Sequence, residues 1–227
     1  MAEAATLSAS GLALRAMDGR VILEEASLEL GPGRRAWIEG PPGSGKRALL
    51  KVLAGLLKPD RGEVRLGTIR LWPGEGATEL RKRLRIGFAF AQGGLLSNQT
   101  LRENLALPLC FAGQGAEAYR IVDEALAGAG LGPFSALRPH ALGARVRRLA
   151  QLVRIDLLRP DAIFLCEPLE DLEGPDLLLA AGLIEGWAED PARLILASAE
   201  QGAPGLLPGA VRLRLEAGRI HSDEGPP

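Results

Sequence analysis

The chain has 227 residues, of which 47% are hydrophobic, 24% charged and 4% aromatic, enough for one domain, or one domain carrying an inserted lobe, around a sizeable core. Its 27 Lys and Arg against 28 Asp and Glu leave a formal charge of −1, which removes the electrostatic case for nucleic acid as the main partner. Cys110 and Cys166 lie far apart and the histidines are two, His140 and His221, so neither a disulfide framework nor a Cys/His metal site is expected.

Met1-Ala2-Glu3-Ala4-Ala5 has neither the basic start nor the apolar run of a signal peptide. No stretch reaches the roughly 18 uninterrupted apolar residues of a membrane-spanning helix, so the sequence reads as cytosolic and soluble, free to dock on a membrane protein. Short strands are expected first, at 7–12, 21–23 and 26–30, with a turn at 17–20. A strand at 35–39 then enters a glycine-rich loop. An apolar helix over 48–57 stops at Lys58-Pro59-Asp60-Arg61-Gly62, before an alternating strand at 63–66.

Residues 93–159 read as mostly helical, with apolar three-to-four spacing over 101–109, 116–129 and 145–158. Buried-type strands at 162–165 and 193–197 flank a helix at 177–187. A hairpin over 211–216 and 218–220 closes the pattern, followed by a loose tail at 222–227. Strands alternating with helices around an all-helical middle predict an α/β sheet carrying a helical lobe.

Gly40-Pro41-Pro42-Gly43-Ser44-Gly45-Lys46-Arg47 fits G-x-x-x-x-G-K at every position but the last. Such glycines let successive backbone N–H groups turn inward around phosphate oxygens, the following helix offers its positive end, and the lysine adds a cation. The bland alternative is a Gly/Pro turn that happens to precede a lysine; the apolar strand before the loop and the apolar helix after it argue against that. The motif ordinarily ends in Ser or Thr, whose hydroxyl ligates Mg²⁺ between phosphates. Arg47 has no lone pair to give and carries positive charge to that place. A nucleotide could bind there with Arg47 supplying part of the metal's charge, while metal-assisted hydrolysis would be impaired.

With the loop, the run Leu50-Lys51-Val52-Leu53-Ala54-Gly55-Leu56-Leu57-Lys58-Pro59-Asp60-Arg61-Gly62-Glu63-Val64 resembles the nucleotide-binding (ATP-binding) subunits of ABC transporters, and the resemblance extends over residues 7–220. It implies a P-loop NTPase (RecA-like) α/β core with an antiparallel β subdomain and an inserted helical subdomain at about 93–159, all within a single domain of residues 1–227. The segment Gly93-Gly94-Leu95-Leu96-Ser97-Asn98 is most similar to subunits of mammalian-cell-entry (MCE) lipid transport systems.

The resemblance also shows where the family's chemistry has changed. The aromatic residue that stacks on adenine matches Ala16. The glutamine near metal and water matches Ala91, with Gln92 one place late. The Leu-Ser-Gly-Gly-Gln signature matches Leu142-Gly143-Ala144-Arg145-Val146. Arg145 there is either a cation for a phosphate or a solvent-facing side chain. The metal-orienting aspartate matches Cys166, for which a small buried side chain is favoured over a redox or metal role. Glu167 keeps the general-base position, followed by Pro168, and the γ-phosphate-sensing histidine matches Ala199.

The expected function is thus a degenerate ATP-binding subunit, without a metal ligand set, that binds ATP weakly and without magnesium, or not at all. The resemblance implies as partners integral membrane permease subunits and a second nucleotide-binding subunit, here a competent paralogue, at the cytoplasmic face of the inner membrane. Two alternatives stand beside it: a slow ATPase using Lys46 and Glu167, and a soluble nucleotide-sensing adaptor without a transporter.

Overall fold

The computed structural model describes residues 6–73, 85–199 and 206–222. β1 (Leu7–Arg15) and β2 (Val21–Leu30) form an antiparallel pair whose apolar residues alternate inward. β4 (Arg61–Leu66) and β5 (Ile69–Trp72) extend it into a four-stranded sheet of order β2-β1-β4-β5. β3 (Arg35–Glu39), β6 (Ile86–Ala89), β7 (Ala162–Cys166), β8 (Leu194–Ser198), β9 (Val211–Glu216) and β10 (Arg219–Ser222) build the second sheet, in the order β10-β9-β3-β8-β7-β6. All its pairings are parallel except β10 on β9. Every residue of β7 and β8 is buried, as expected of parallel strands covered on both faces.

α1 (Lys46–Leu53) lies between the two sheets. One core cluster there joins its Leu49, Leu50 and Leu53 to Leu12, Leu66 and Phe164. The other face of the large sheet is covered by α2 (Leu101–Phe111), α3 (Gly115–Gly128), α4 (Ala144–Leu158) and α5 (Gly174–Ala188), around Trp37, Leu105, Leu149 and Ile184. A capping box starts α2: the Glu103 amide donates to Thr100 Oγ1 (3.2 Å), and the Thr100 amide donates to Glu103 Oε2 (2.7 Å). The α/β class and the helical middle agree with expectation.

Several boundaries differ. The runs at 21–23 and 26–30 are one strand, carried past Glu25 by a left-handed backbone (φ 52°). α1 is shorter than its apolar run because Gly55 turns left-handed (φ 72°) and the Leu56 amide closes back on the Lys51 carbonyl at 2.8 Å. α5 begins at Gly174 because Pro175 fits the first helical turn, where its missing N–H costs nothing. β5 was not expected; it is four residues long, with only Ile69 and Leu71 turned inward to signal it. Ser222, read as part of a loose tail, is paired to Leu213 in β10; the remainder of that tail, 223–227, lies outside the described residues.

Phe164 is fully buried on β7, its ring stacked 6.4 Å from that of Phe88 on the neighbouring β6. Phe164→Ala should therefore lower unfolding free energy by about 3–5 kcal/mol in a denaturant titration, and a loss under about 1 kcal/mol would contradict the packing.

Candidate functional site

Between β3 and α1, residues 40–45 turn sharply. Gly40 (φ 149°) and Gly45 (φ 102°) both need glycine: a Cβ would stand 2.5 Å from the Leu215 carbonyl oxygen at the first and 2.9 Å from the Ile22 carbonyl oxygen at the second. Lys46, buried at the start of α1, folds back so that Nζ donates to the carbonyls of Gly40 (2.6 Å) and Pro41 (3.1 Å). Ser44 Oγ is buried with no hydrogen-bond partner. Residues 42–48 of the loop and α1 line a cavity of about 340 Å³ together with Arg20, Ile22, Glu167 and Glu170. Turned glycines, an orphaned hydroxyl, a helix N-terminus and a lysine together suit a phosphate chain.

Arg47 does not point away from this cavity. Its Nε donates to Glu167 Oε2 at 3.0 Å, its Nη2 donates to the same oxygen, and Nη2 lies 3.9 Å from Glu170 Oε2. The bond to Glu167 holds the Arg47 guanidinium even further above neutrality than usual. Glu167 sits at the end of β7 in a left-handed conformation (φ 48°), a strain of about 1–3 kcal/mol for a residue with a Cβ. Its amide is anchored to the Ser198 carbonyl at 3.1 Å and to Ser198 Oγ at 3.3 Å. Burial and the Glu167 charge together push the Glu170 carboxyl above its usual range, with Arg148 and Arg47 pulling the other way.

A divalent cation does not fit these residues. Arg47 offers donors only. Burial pushes the Cys166 thiol up to about 11, so a neutral S–H occupies the end of β7 at neutral pH. Among the described residues no group of three or more His, Cys, Asp or Glu is placed to hold a metal ion.

The other expected positions are not among the residues that line this cavity. Ala16 is in the turn after β1, its amide donating to the Arg20 carbonyl at 2.9 Å. Ala91 packs at the margin of the core, and Gln92 is exposed. Gly143 caps α4 and is exposed, as are Ala144 and Arg145, whose guanidinium pairs with Asp176 at the start of α5. Ala199 follows β8, its amide bonded to the Ile38 carbonyl at 3.2 Å.

Residues not singled out from the sequence complete the site. Arg20 and Ile22 line the cavity beside the loop, and Glu170 links Arg47 to Arg148. Arg148 is buried on α4; its Nη1 donates to the Phe90 and Cys166 carbonyls (both 3.2 Å), and its Nη2 lies 3.2 Å from Glu170 Oε2. One turn on, the buried Gln151 grips Phe90 from both sides, accepting from its amide (2.8 Å) and donating to its carbonyl (3.2 Å). A signal for these two was available, since Arg148 and Gln151 share the helical row of Leu152 and Ile155, where apolar residues belong.

The chain matches the family model of ABC transporters over residues 23–170. It is 30% identical over 205 residues to a lipoprotein-releasing system ATP-binding protein, LolD, from Chromohalobacter salexigens, covering 89% of this chain and 86% of that protein. It is 33% identical over 218 residues to a cytochrome c biogenesis ATP-binding export protein, CcmA, from Cupriavidus necator, covering 95% and 90%. The ATP-binding cassette MJ0796, in a dimeric structure bound to ADP and Pi, superposes with a TM-score of 0.82 at 24% identity over 95% of this chain and 96% of that one, a likeness of fold.

The two cysteines differ in access, Cys110 being exposed on α2 and Cys166 buried and held protonated. At pH 8 a thiol reagent such as DTNB should titrate one equivalent in the native protein and the second only after unfolding; two rapid equivalents in the native state would contradict the environment of Cys166.

Proposed function

Because the chain belongs to the ABC transporter family, as an ATP-binding subunit, we propose that it is a degenerate subunit of such a transporter, binding nucleotide phosphates without turning them over. One observation carries this reading: Arg47 stands where a magnesium ligand is needed and holds the general-base candidate Glu167 in an ion pair. A carboxylate engaged by a guanidinium is a poor acceptor for a proton from water, because its oxygen is already occupied. Cys166, Ala91 and Ala199 support the same reading, since none supplies an oxygen or imidazole to metal, water or γ-phosphate.

Binding nonetheless remains favourable. The Arg47 side chain is 51% exposed and that of Glu167 15%, so the guanidinium stays reachable from the cavity while its partner is largely covered. Arg47 uses Nε and Nη2 on Glu167, which leaves its other N–H donors for charge-assisted bonds to phosphate while Glu167 stays engaged. Magnesium adds little where its ligands are missing.

The partners follow from the family. Among the described residues no helix is long and apolar enough to cross a membrane, so the transmembrane part is assigned to permease subunits, with this chain on their cytoplasmic face. The surface for them is the helical lobe near Gly93–Leu109. A second cavity, of about 410 Å³, opens in that region between Pro108, Leu109, Ala112, Ile121, Leu157 and Arg159. The second nucleotide-binding subunit is a paralogue with intact motifs, because two copies of this chain would lack any competent site. For cargo, the wording of residues 93–98 and the lipoprotein-releasing relative both favour a lipid or lipid-bearing molecule.

Phosphate release by the purified chain should not exceed background, and Glu167→Gln should leave it unchanged. Turnover in the wild type that Glu167→Gln abolishes would instead establish a slow ATPase. In the assembly isolated from its host, a second nucleotide-binding polypeptide should accompany this chain at equal stoichiometry, together with an integral membrane protein.

A further inference from the structure

Beside the phosphate loop the cavity is lined by Arg20 and Ile22, and that side is unusual for a nucleoside site. The turn after β1 is fixed by the Ala16 amide on the Arg20 carbonyl, the Gly19 amide on the Ala16 carbonyl (both 2.9 Å) and the Arg20 amide on Asp18 Oδ1 (3.0 Å). It delivers an exposed Arg20 and a half-buried Ile22 to the cavity, and no ring. The chain has five Phe, three Trp and one Tyr, and none of them lines the cavity. Each is placed elsewhere: Phe88, Phe90 and Phe164 beside one another, Trp37 in the core, and Trp72 bonded to the Val52 carbonyl. Trp187 bonds Asp156, Tyr119 lies under Arg102, Phe134 packs in the helical core, and Phe111 is exposed on α2.

Base edges are unread as well. Among the described lining residues the polar side chains are Arg20, Ser44, Lys46, Arg47, Glu167 and Glu170. All but Arg20 belong to the loop, to α1 or to the acidic pair that faces Arg47. Arg20 offers donors only, without the paired donor and acceptor that reading an adenine edge needs. At about 340 Å³ the cavity is near the small end of the range for ligand sites, about 300–1,000 Å³, and its built part is the phosphate cradle.

We infer that this cavity selects a triphosphate chain and not a base: it takes nucleoside triphosphates regardless of base, and bare inorganic triphosphate with them. The inference rests on the loop being a nucleotide-phosphate cradle, as proposed above. A base stacked on a ring contributes a factor of roughly 5–150 in affinity, and that factor is missing here. What remains comes from the loop amides, Lys46 and Arg47, which every triphosphate shares.

Calorimetric titration of the full chain in magnesium-containing buffer with ATP, GTP, CTP and inorganic triphosphate tests this. The four dissociation constants should agree within about threefold, and adenosine alone should give no heat of binding. Arg47→Ala should weaken all four by a common factor. ATP binding tighter than GTP, CTP and inorganic triphosphate by about tenfold or more would overturn the inference while leaving the cradle intact. A loss in Arg47→Ala confined to the nucleotides would overturn it too. Failure of all four to bind would remove the cradle reading itself.

Discussion

A single guanidinium sets the character of this molecule. Arg47 follows the loop lysine directly, at the start of the helix whose N-terminal amides face the cavity, and bonds Glu167 across the gap to β7. A cation at that point neutralises negative charge as a metal would, but it cannot accept the lone pairs that organise a water. On the function proposed above, the same side chain favours phosphate and disfavours hydrolysis. Glu167, strained and anchored on Ser198, is held in place to meet it.

Behind that pair the charges continue inward. Glu170 lies between Arg47 and the buried Arg148, which binds the carbonyls of Phe90 and Cys166 at the ends of β6 and β7. Gln151 then fixes Phe90, and Arg154 donates to the Gly94 carbonyl at 2.7 Å. α4 is therefore fastened to the segment that leads into the helical lobe, and the floor of the cavity and the lobe share one set of polar contacts. Buried polar side chains are costly unless satisfied, and Arg148 and Gln151 are both bonded.

Most of the fold was legible because burial imposes periodicity. β7 and β8 read as continuous apolar runs, and α2 and α4 as helical rows, because each is covered by the core. β5 was not legible: four residues with two inward side chains leave too little pattern. The cradle could be read from glycine spacing, since Gly40 and Gly45 occupy backbone conformations that exclude a Cβ. The Arg47–Glu167 pair could not, because it joins residues 120 apart in sequence that only the parallel order of β3, β8 and β7 brings together. Arg20 and Ile22 were hidden likewise, being ordinary turn and strand residues until the small sheet is laid over α1.

Magnesium dependence of ATP binding probes the substitution of guanidinium for metal most directly. Equilibrium titration of the purified chain with ATP, once with magnesium and once with EDTA, should give dissociation constants within a few-fold of each other, because Lys46, Arg47 and the loop amides hold the phosphates in both. Tight binding that collapses when EDTA removes the metal would mean that a magnesium ion finds ligands here after all, and that Arg47 yields its place to it.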